Sequence, residues 1–307
     1  VVAVWPLVQA EFFRKHGPAP GRGAAVIGMG SLGAERLNAA SDLDLLVIYD
    51  ADGNDSSEGP RPLDARSYYA RLTQALVTAL SAPMAEGRLY EVDMRLRPSG
   101  RKGPVATSLA AWTWEHLALT RARVIVGPAD LSDDVEAVRL AVLAAKSGGA
   151  TLRSDTAGMR ARIFAAKAPD GEWEAKIGPG RLQDIELLAQ CAALAGADRA
   201  RRVEAQLRAA VRSGFLSRDD EARLQTAYRF FWRLHAGGRL LTDRPLDMEA
   251  IGEGGQAFLL RETGAGDLAE LAATLAGHVA NTSEIVARVL GTAPGGMAGS
   301  ETPWGDA

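Results

Sequence analysis

The 307-residue sequence holds one cysteine, Cys191, and four histidines. A single thiol closes no internal disulfide and excludes a cysteine-built zinc centre, so the expected compartment is a reducing one, the cytoplasm. Positive charge is not in excess: 35 Lys and Arg stand against 38 Asp and Glu, for a net charge of −3. The basic surface that a nucleic-acid partner demands is therefore missing, and none is expected. No apolar run approaches the roughly 20 residues of a bilayer span. The amino end also lacks the charged-then-apolar order of a signal peptide, so no membrane association is expected. Internal repeats and extended low-complexity tracts are lacking as well. The chain starts at Val1, as expected of a piece of a longer protein.

Apolar residues make up 47% of the chain, enough to bury a sizeable core and, at this length, to form two units. Val4, Leu7, Val8, Phe12 and Phe13 have helical spacing, and the Gly/Pro-rich stretch 17–23 ends that helix. The apolar run 24–27 predicts a strand, 32–37 a short helix, and 50–62 an exposed loop. A helix over 67–82 follows, with Ser67 as its N-cap. Beyond Val126-Gly-Pro-Ala-Asp130, helical periodicity is expected over 132–145, 155–167, 182–195, 198–212, 217–235 and 267–290. The expected division is 1–130, with an amino-terminal helix, then a helical domain over 131–291 and a flexible tail over 292–307.

Chemistry concentrates at Met29-Gly-Ser-Leu-Gly-Ala34 and, after a turn at 38–41, at Ser41-Asp-Leu-Asp44 heading the apolar run Leu45-Leu-Val-Ile-Tyr49. Side chains alternate along a strand, so Asp42 and Asp44 share one face and Leu43 takes the other. Adjacent carboxylates repel unless cations lie between them, and hard oxygen ligands suit Mg²⁺, with its remaining positions left to water and substrate phosphates. Gly30 and Ser31 offer backbone N–H groups and a hydroxyl to a phosphate. The combination resembles the polymerase β-type nucleotidyltransferase superfamily, in which a Gly-Ser turn precedes a metal-binding Asp-x-Asp and a third acidic residue lies on a later strand.

Leu89-Tyr-Glu-Val-Asp-Met-Arg-Leu-Arg-Pro98 alternates so that Tyr90, Val92, Met94 and Leu96 form an apolar face and Glu91, Asp93, Arg95 and Arg97 a polar one. Taken alone, this is ordinary half-exposed sheet patterning. Beside the first motif, Asp93 is the third carboxylate, and Arg95 and Arg97 supply forked cations for polyphosphate oxygens.

The run 90–104 and Trp112-Thr-Trp-Glu-His116, with Ser41-Asp-Leu-Asp-Leu45 ahead of them, resembles the bifunctional glutamine synthetase adenylyltransferase/adenylyl-removing enzymes. The wording of 91–100 and 112–116 is similar to the carboxy-terminal, adenylylating half of that family. Lys176-Ile-Gly-Pro-Gly-Arg-Leu-Gln-Asp-Ile-Glu186 resembles the family's later glycine-turn segment, which makes Lys176, Asp184 and Glu186 cleft candidates. Asp184 and Glu186, two residues apart on a helix, point to nearly opposite sides, and acids near a helix start are also favoured by its dipole. The sequence departs from the family at Ser31 and Ala34, where lysine and glycine are usual, and at Arg181, where a second glycine is usual.

The resemblance implies an α+β chain: a polymerase β-like nucleotidyltransferase domain, a small mixed sheet with flanking helices, joined to a helical bundle. It implies transfer of AMP from ATP to a tyrosine of glutamine synthetase, with two Mg²⁺ ions on Asp42, Asp44 and Asp93, and PII signalling protein and glutamine as effectors. Three alternatives use the same residues or none of them: phosphorolytic removal of AMP, nucleotidyl transfer to a small molecule, and a catalytically silent regulatory module.

Overall fold

The computed structural model describes residues 1–85, 87, 90–94, 105–111 and 116–291. The chain is a mixed α+β protein of two compact units, the first comprising Val1–Leu37 and Ser41–Ala145, the second beginning in the main at Lys146.

The first unit runs α1 (Val4–His16), β1 (Gly23–Gly28), α2 (Gly30–Gly33), β2 (Leu43–Asp50), α3 (Ala65–Ser81), β3 (Val92–Asp93), β4 (Ala106–Ser108), α4 (His116–Leu119), β5 (Arg123–Val126) and α5 (Ala129–Lys146). Its sheet has the order β3-β2-β1-β5, with β4 also on β2. β1 is antiparallel to β2 and β5, whereas β3 and β4 lie parallel to β2, β3 along residues 43–44 and β4 along 47–49. The apolar run of β2 suits a strand covered on both faces. Leu43, Leu45 and Val47 join Trp5 and Phe12 of α1 and Tyr68, Tyr69, Leu72 and Leu76 of α3 in one core. Each such side chain contributes about 1.5–3 kcal/mol by leaving water. Tyr68 and Tyr69 also donate their hydroxyls to the carbonyls of Gly17 and Pro20, which anchors the turn between α1 and β1.

The second unit is helical: α6 (Leu152–Ala166), α7 (Leu182–Ala195), α8 (Val203–Arg212), α9 (Arg218–Leu241), α10 (Gly252–Thr263) and α11 (Leu268–Leu290). Ser217 and Asp267 cap α9 and α11 through their side chains. Arg288 of α11 clasps Asp220 of α9, and that hydrogen bond holds the Asp220 carboxyl below its ordinary range. Cys191 is fully buried on α7, and burial pushes its thiol up from its ordinary value.

Several elements differ from the sequence expectation. α3 begins at Ala65 because Asp64, not Ser67, is the cap: Asp64 accepts the Ser67 N–H at 2.9 Å. The helix expected over 32–37 is the single turn α2, since Glu35 adopts a left-handed backbone, φ 58°, and stops it. α10 has no counterpart in the periodicity, which Gly252, Gly254 and Gly255 obscure. The units divide at Ala145 rather than near 130, and α5 goes with the sheet. Its Arg139, 1% exposed, donates to the carbonyls of Leu119 at 2.8 Å and Thr120 at 3.1 Å, tying the helix to the segment ahead of β5.

Candidate active site

The turn between β1 and β2 is built around Asp44. The Met29 N–H donates to the Asp44 carbonyl at 2.9 Å, which sets Gly30 directly above the Asp44 side chain. A Cβ on Gly30 would fall on the Asp44 carboxylate, and the backbone there is left-handed, φ 48°. Only glycine satisfies both conditions. Three residues on, a Cβ on Gly33 would strike the Arg121 carbonyl, so the segment leading into β5 packs against the other side of the turn. Ser31, half-buried, follows Gly30 in α2.

Asp93 is the cross-strand neighbour of Asp44, and Val92 is that of Leu43. Both carboxylates are half-buried on the face opposite Leu43, which is core. Asp42 lies one residue ahead of the strand and is exposed. Tyr90 and Val92 pack on the core, Met94 is buried and Glu91 is exposed, the alternation expected of this stretch. Arg95 and Arg97 lie outside the described residues, as do Leu96 and Trp112 to Glu115. Among the described residues, no group of three or more His, Cys, Asp or Glu stands close enough to hold a metal ion. The donor set that is present is a pair of carboxylates, Asp44 beside Asp93, with glycine in place of a side chain above one of them. Hard oxygen donors of this kind suit a divalent cation that keeps water and phosphate ligands.

Asp50, at the other end of β2, serves the scaffold instead. It accepts the Asp52 N–H, chiefly for which its carboxyl lies below its ordinary range, and Arg22 pairs with it at 2.7 Å. Arg22 also reaches Asp134 of α5 at 2.8 Å.

The three candidates further along the chain belong to the second unit. Asp184 is fully buried, accepting from both Arg160 and the Gly180 N–H, at 2.7 Å for the latter, so its charge is consumed in holding the glycine turn on α7. Lys176 and Glu186 are half-buried. Near Lys176 lies His235, whose pKa is pulled down to about 3 by burial first and then by Lys176 and Arg239. The same region borders a cavity of about 810 Å³, lined by Trp173, Leu241, Arg244, Leu246 and Ile251 among others. Arg123 opens β5, next to the turn in the sheet. The structure sets its guanidinium on α2, 3.1 Å from the Leu32 carbonyl and 3.3 Å from Glu35.

Residues 3–138 match the family model for glutamate-ammonia ligase adenylyltransferase, and residues 156–290 match that for the GlnD PII-uridylyltransferase. Curated relatives named bifunctional glutamine synthetase adenylyltransferase/adenylyl-removing enzyme are similar along the chain. The Agrobacterium fabrum protein is 48% identical over 62% of this chain and 20% of its own length. Those of Mesorhizobium japonicum and Xanthobacter autotrophicus are 38% and 40% identical, each over 93% of this chain. The chain spans 30% of the length of either of these two.

Proposed function

We propose, from the premise that this chain belongs to the bifunctional glutamine synthetase adenylyltransferase/adenylyl-removing enzyme family, that it transfers AMP from ATP to a tyrosine hydroxyl of glutamine synthetase. The observation that carries the reading is the juxtaposition of Asp44 and Asp93 on neighbouring parallel strands, under a glycine turn that opens a helix. In this reading the first unit is a polymerase β-like nucleotidyltransferase domain and the helical unit is a bundle domain.

Asp44 and Asp93, with Asp42 from the strand's approach, would hold the divalent ions. Two bound Mg²⁺ would supply a lowered pKa at the attacking oxygen and neutralisation of the departing pyrophosphate. Gly30 and Ser31 seat the polyphosphate with backbone N–H groups and a hydroxyl, and Arg95 and Arg97 add charge to it. The tyrosine oxygen forms a bond to the α-phosphorus as the bond to the pyrophosphate oxygen breaks, and the hydroxyl proton passes to solvent. Fixing both reactants in line provides much of the acceleration, because so little covalent chemistry is left to the side chains. Asp184 supports the reaction through the fold of the second unit, holding the Gly180 turn, and Lys176 and Glu186 are that unit's cleft candidates. The match of residues 156–290 to a PII-uridylyltransferase family supports PII signalling protein as a regulator, with glutamine as the second effector.

The test is incubation with α-labelled ATP, Mg²⁺ and unmodified glutamine synthetase. Label enters glutamine synthetase with the parental chain and is lost with Asp42→Asn or Asp44→Asn, each of which melts at the parental temperature or slightly above. Near-parental transfer by either variant at saturating Mg²⁺ would remove the metal assignment. Release of ADP from the adenylylated form with phosphate, without incorporation from ATP, would reverse the direction and leave the site standing.

A further inference from the structure

The turn that carries Gly30 and Ser31 is one helical turn long, too short to hold its own shape. It ends in Glu35, a non-glycine residue at φ 58°, a conformation that persists only where the surroundings impose it. Within the turn, the Arg36 N–H on the Ser31 carbonyl at 2.9 Å and the Glu35 N–H on the Leu32 carbonyl at 3.2 Å close that end, and β5 adds a side-chain brace from outside it. Arg123 pairs across the sheet with Gly28, the last residue of β1, so its side chain starts beside the turn. One terminal nitrogen donates to the Leu32 carbonyl, among the last acceptors of α2, and the other meets the Glu35 carboxylate. An ordinary surface Arg–Glu pair has neither the neutral carbonyl partner nor a left-handed residue at its far end. The Arg123 Nε is buried with no hydrogen-bond partner, so the guanidinium engages through its two terminal nitrogens.

We propose that Arg123 is a positioning residue for nucleotide binding. By bracing Leu32 and Glu35 it fixes the backbone N–H groups and hydroxyl of Gly30 and Ser31 in the geometry that receives the polyphosphate. This rests on the reading of the Gly30 turn as the phosphate seat. Three restraints converge on that turn: the Asp44 carboxylate above Gly30, the Arg121 carbonyl against Gly33, and the Arg123 guanidinium at its end. The first two are close approaches that the missing glycine side chains allow, and the third is a hydrogen bond and an ion pair to the far end of the turn.

The test compares the parental chain with Arg123→Ala, Arg123→Lys and Glu35→Gln by amide hydrogen exchange, ATP titration and steady-state kinetics. In Arg123→Ala, exchange at 33–36 accelerates while the amides of β1 and β2 keep parental rates. The Kd and KM for ATP rise roughly tenfold, a change of about 1.4 kcal/mol, with a smaller fall in kcat. Lysine, which keeps the charge but not the fork, restores part of the affinity, and Glu35→Gln loses less than Arg123→Ala. Unchanged exchange at 33–36 overturns the brace. Faster exchange with parental ATP affinity overturns its part in nucleotide binding. A parental chain that binds no ATP fails the proposed function instead, and the exchange result then still decides the brace.

Discussion

At the scale of single residues, the site is defined as much by a missing side chain as by those present. Gly30→Ala adds a methyl group where the Asp44 carboxylate lies and forces alanine to φ 48°. The strained backbone costs about 1–3 kcal/mol, and displacement of the carboxylate is expected to abolish AMP transfer in molecules that still fold. Gly53→Ala is the control: its φ is 73°, but nothing lies within 4 Å of the added atom, so it should lower the melting temperature without touching transfer. Loss of transfer in both, or in neither, would show that the contact with Asp44 is immaterial. The neighbouring places of Asp44 and Asp93 were legible in the sequence because Asp42-Leu-Asp44 and Val92-Asp-Met94 alternate locally, so that Leu43, Val92 and Met94 mark the opposite, apolar face. Asp184 was not. Its acidic position near a helix start gives no sign of Arg160, 24 residues earlier, folding back to meet it.

At the scale of elements, periodicity located the long helices and missed what lies outside its reach. α7 fell at its expected bounds, because nine of its ten buried residues are apolar and recur along its whole length. α10 escaped because three glycines dilute its start, and its stop depends on Gly264 in a left-handed conformation. The placement of α5 turned on one residue. Arg139 reads as a solvated helix position, yet it is buried with its guanidinium against two carbonyls from the segment before β5. Arg139→Met keeps the length and apolar stem but removes the donors to both carbonyls and the pair with Glu136. It should destabilise the first unit by on the order of 2–3 kcal/mol, measured by urea melts, and loosen amide exchange along α5. An effect under half of that would mean the helix is held by its Leu131, Val135 and Leu143 face alone.

For the molecule as a whole, pH provides a reading of the helical unit that the carboxylates do not obscure. His235 stays neutral in the folded chain down to about pH 3, whereas an unfolded histidine takes up a proton near its ordinary 6.5. The unfolded state therefore binds the extra proton, and stability falls as pH drops from 6.5 towards 3. His278, also lowered by burial, adds in the same direction. Asp220, whose carboxyl is depressed, contributes stability that is lost only at pH below its ordinary 3.8. Urea melts at pH 7.5 and 5.0 should show a drop that shrinks in His235→Gln, and an equal drop in both proteins would contradict it. The lone thiol has a practical consequence on the same scale. Cys191 is buried on α7 and its thiol is raised above its ordinary value, so thiol-directed and disulfide reagents find no exposed thiolate in this chain. The natural sequence is thus already a blank background for spectroscopy: a cysteine placed at an exposed position near the turn carries a dye or spin label alone, and the approach of nucleotide can be followed from that one point.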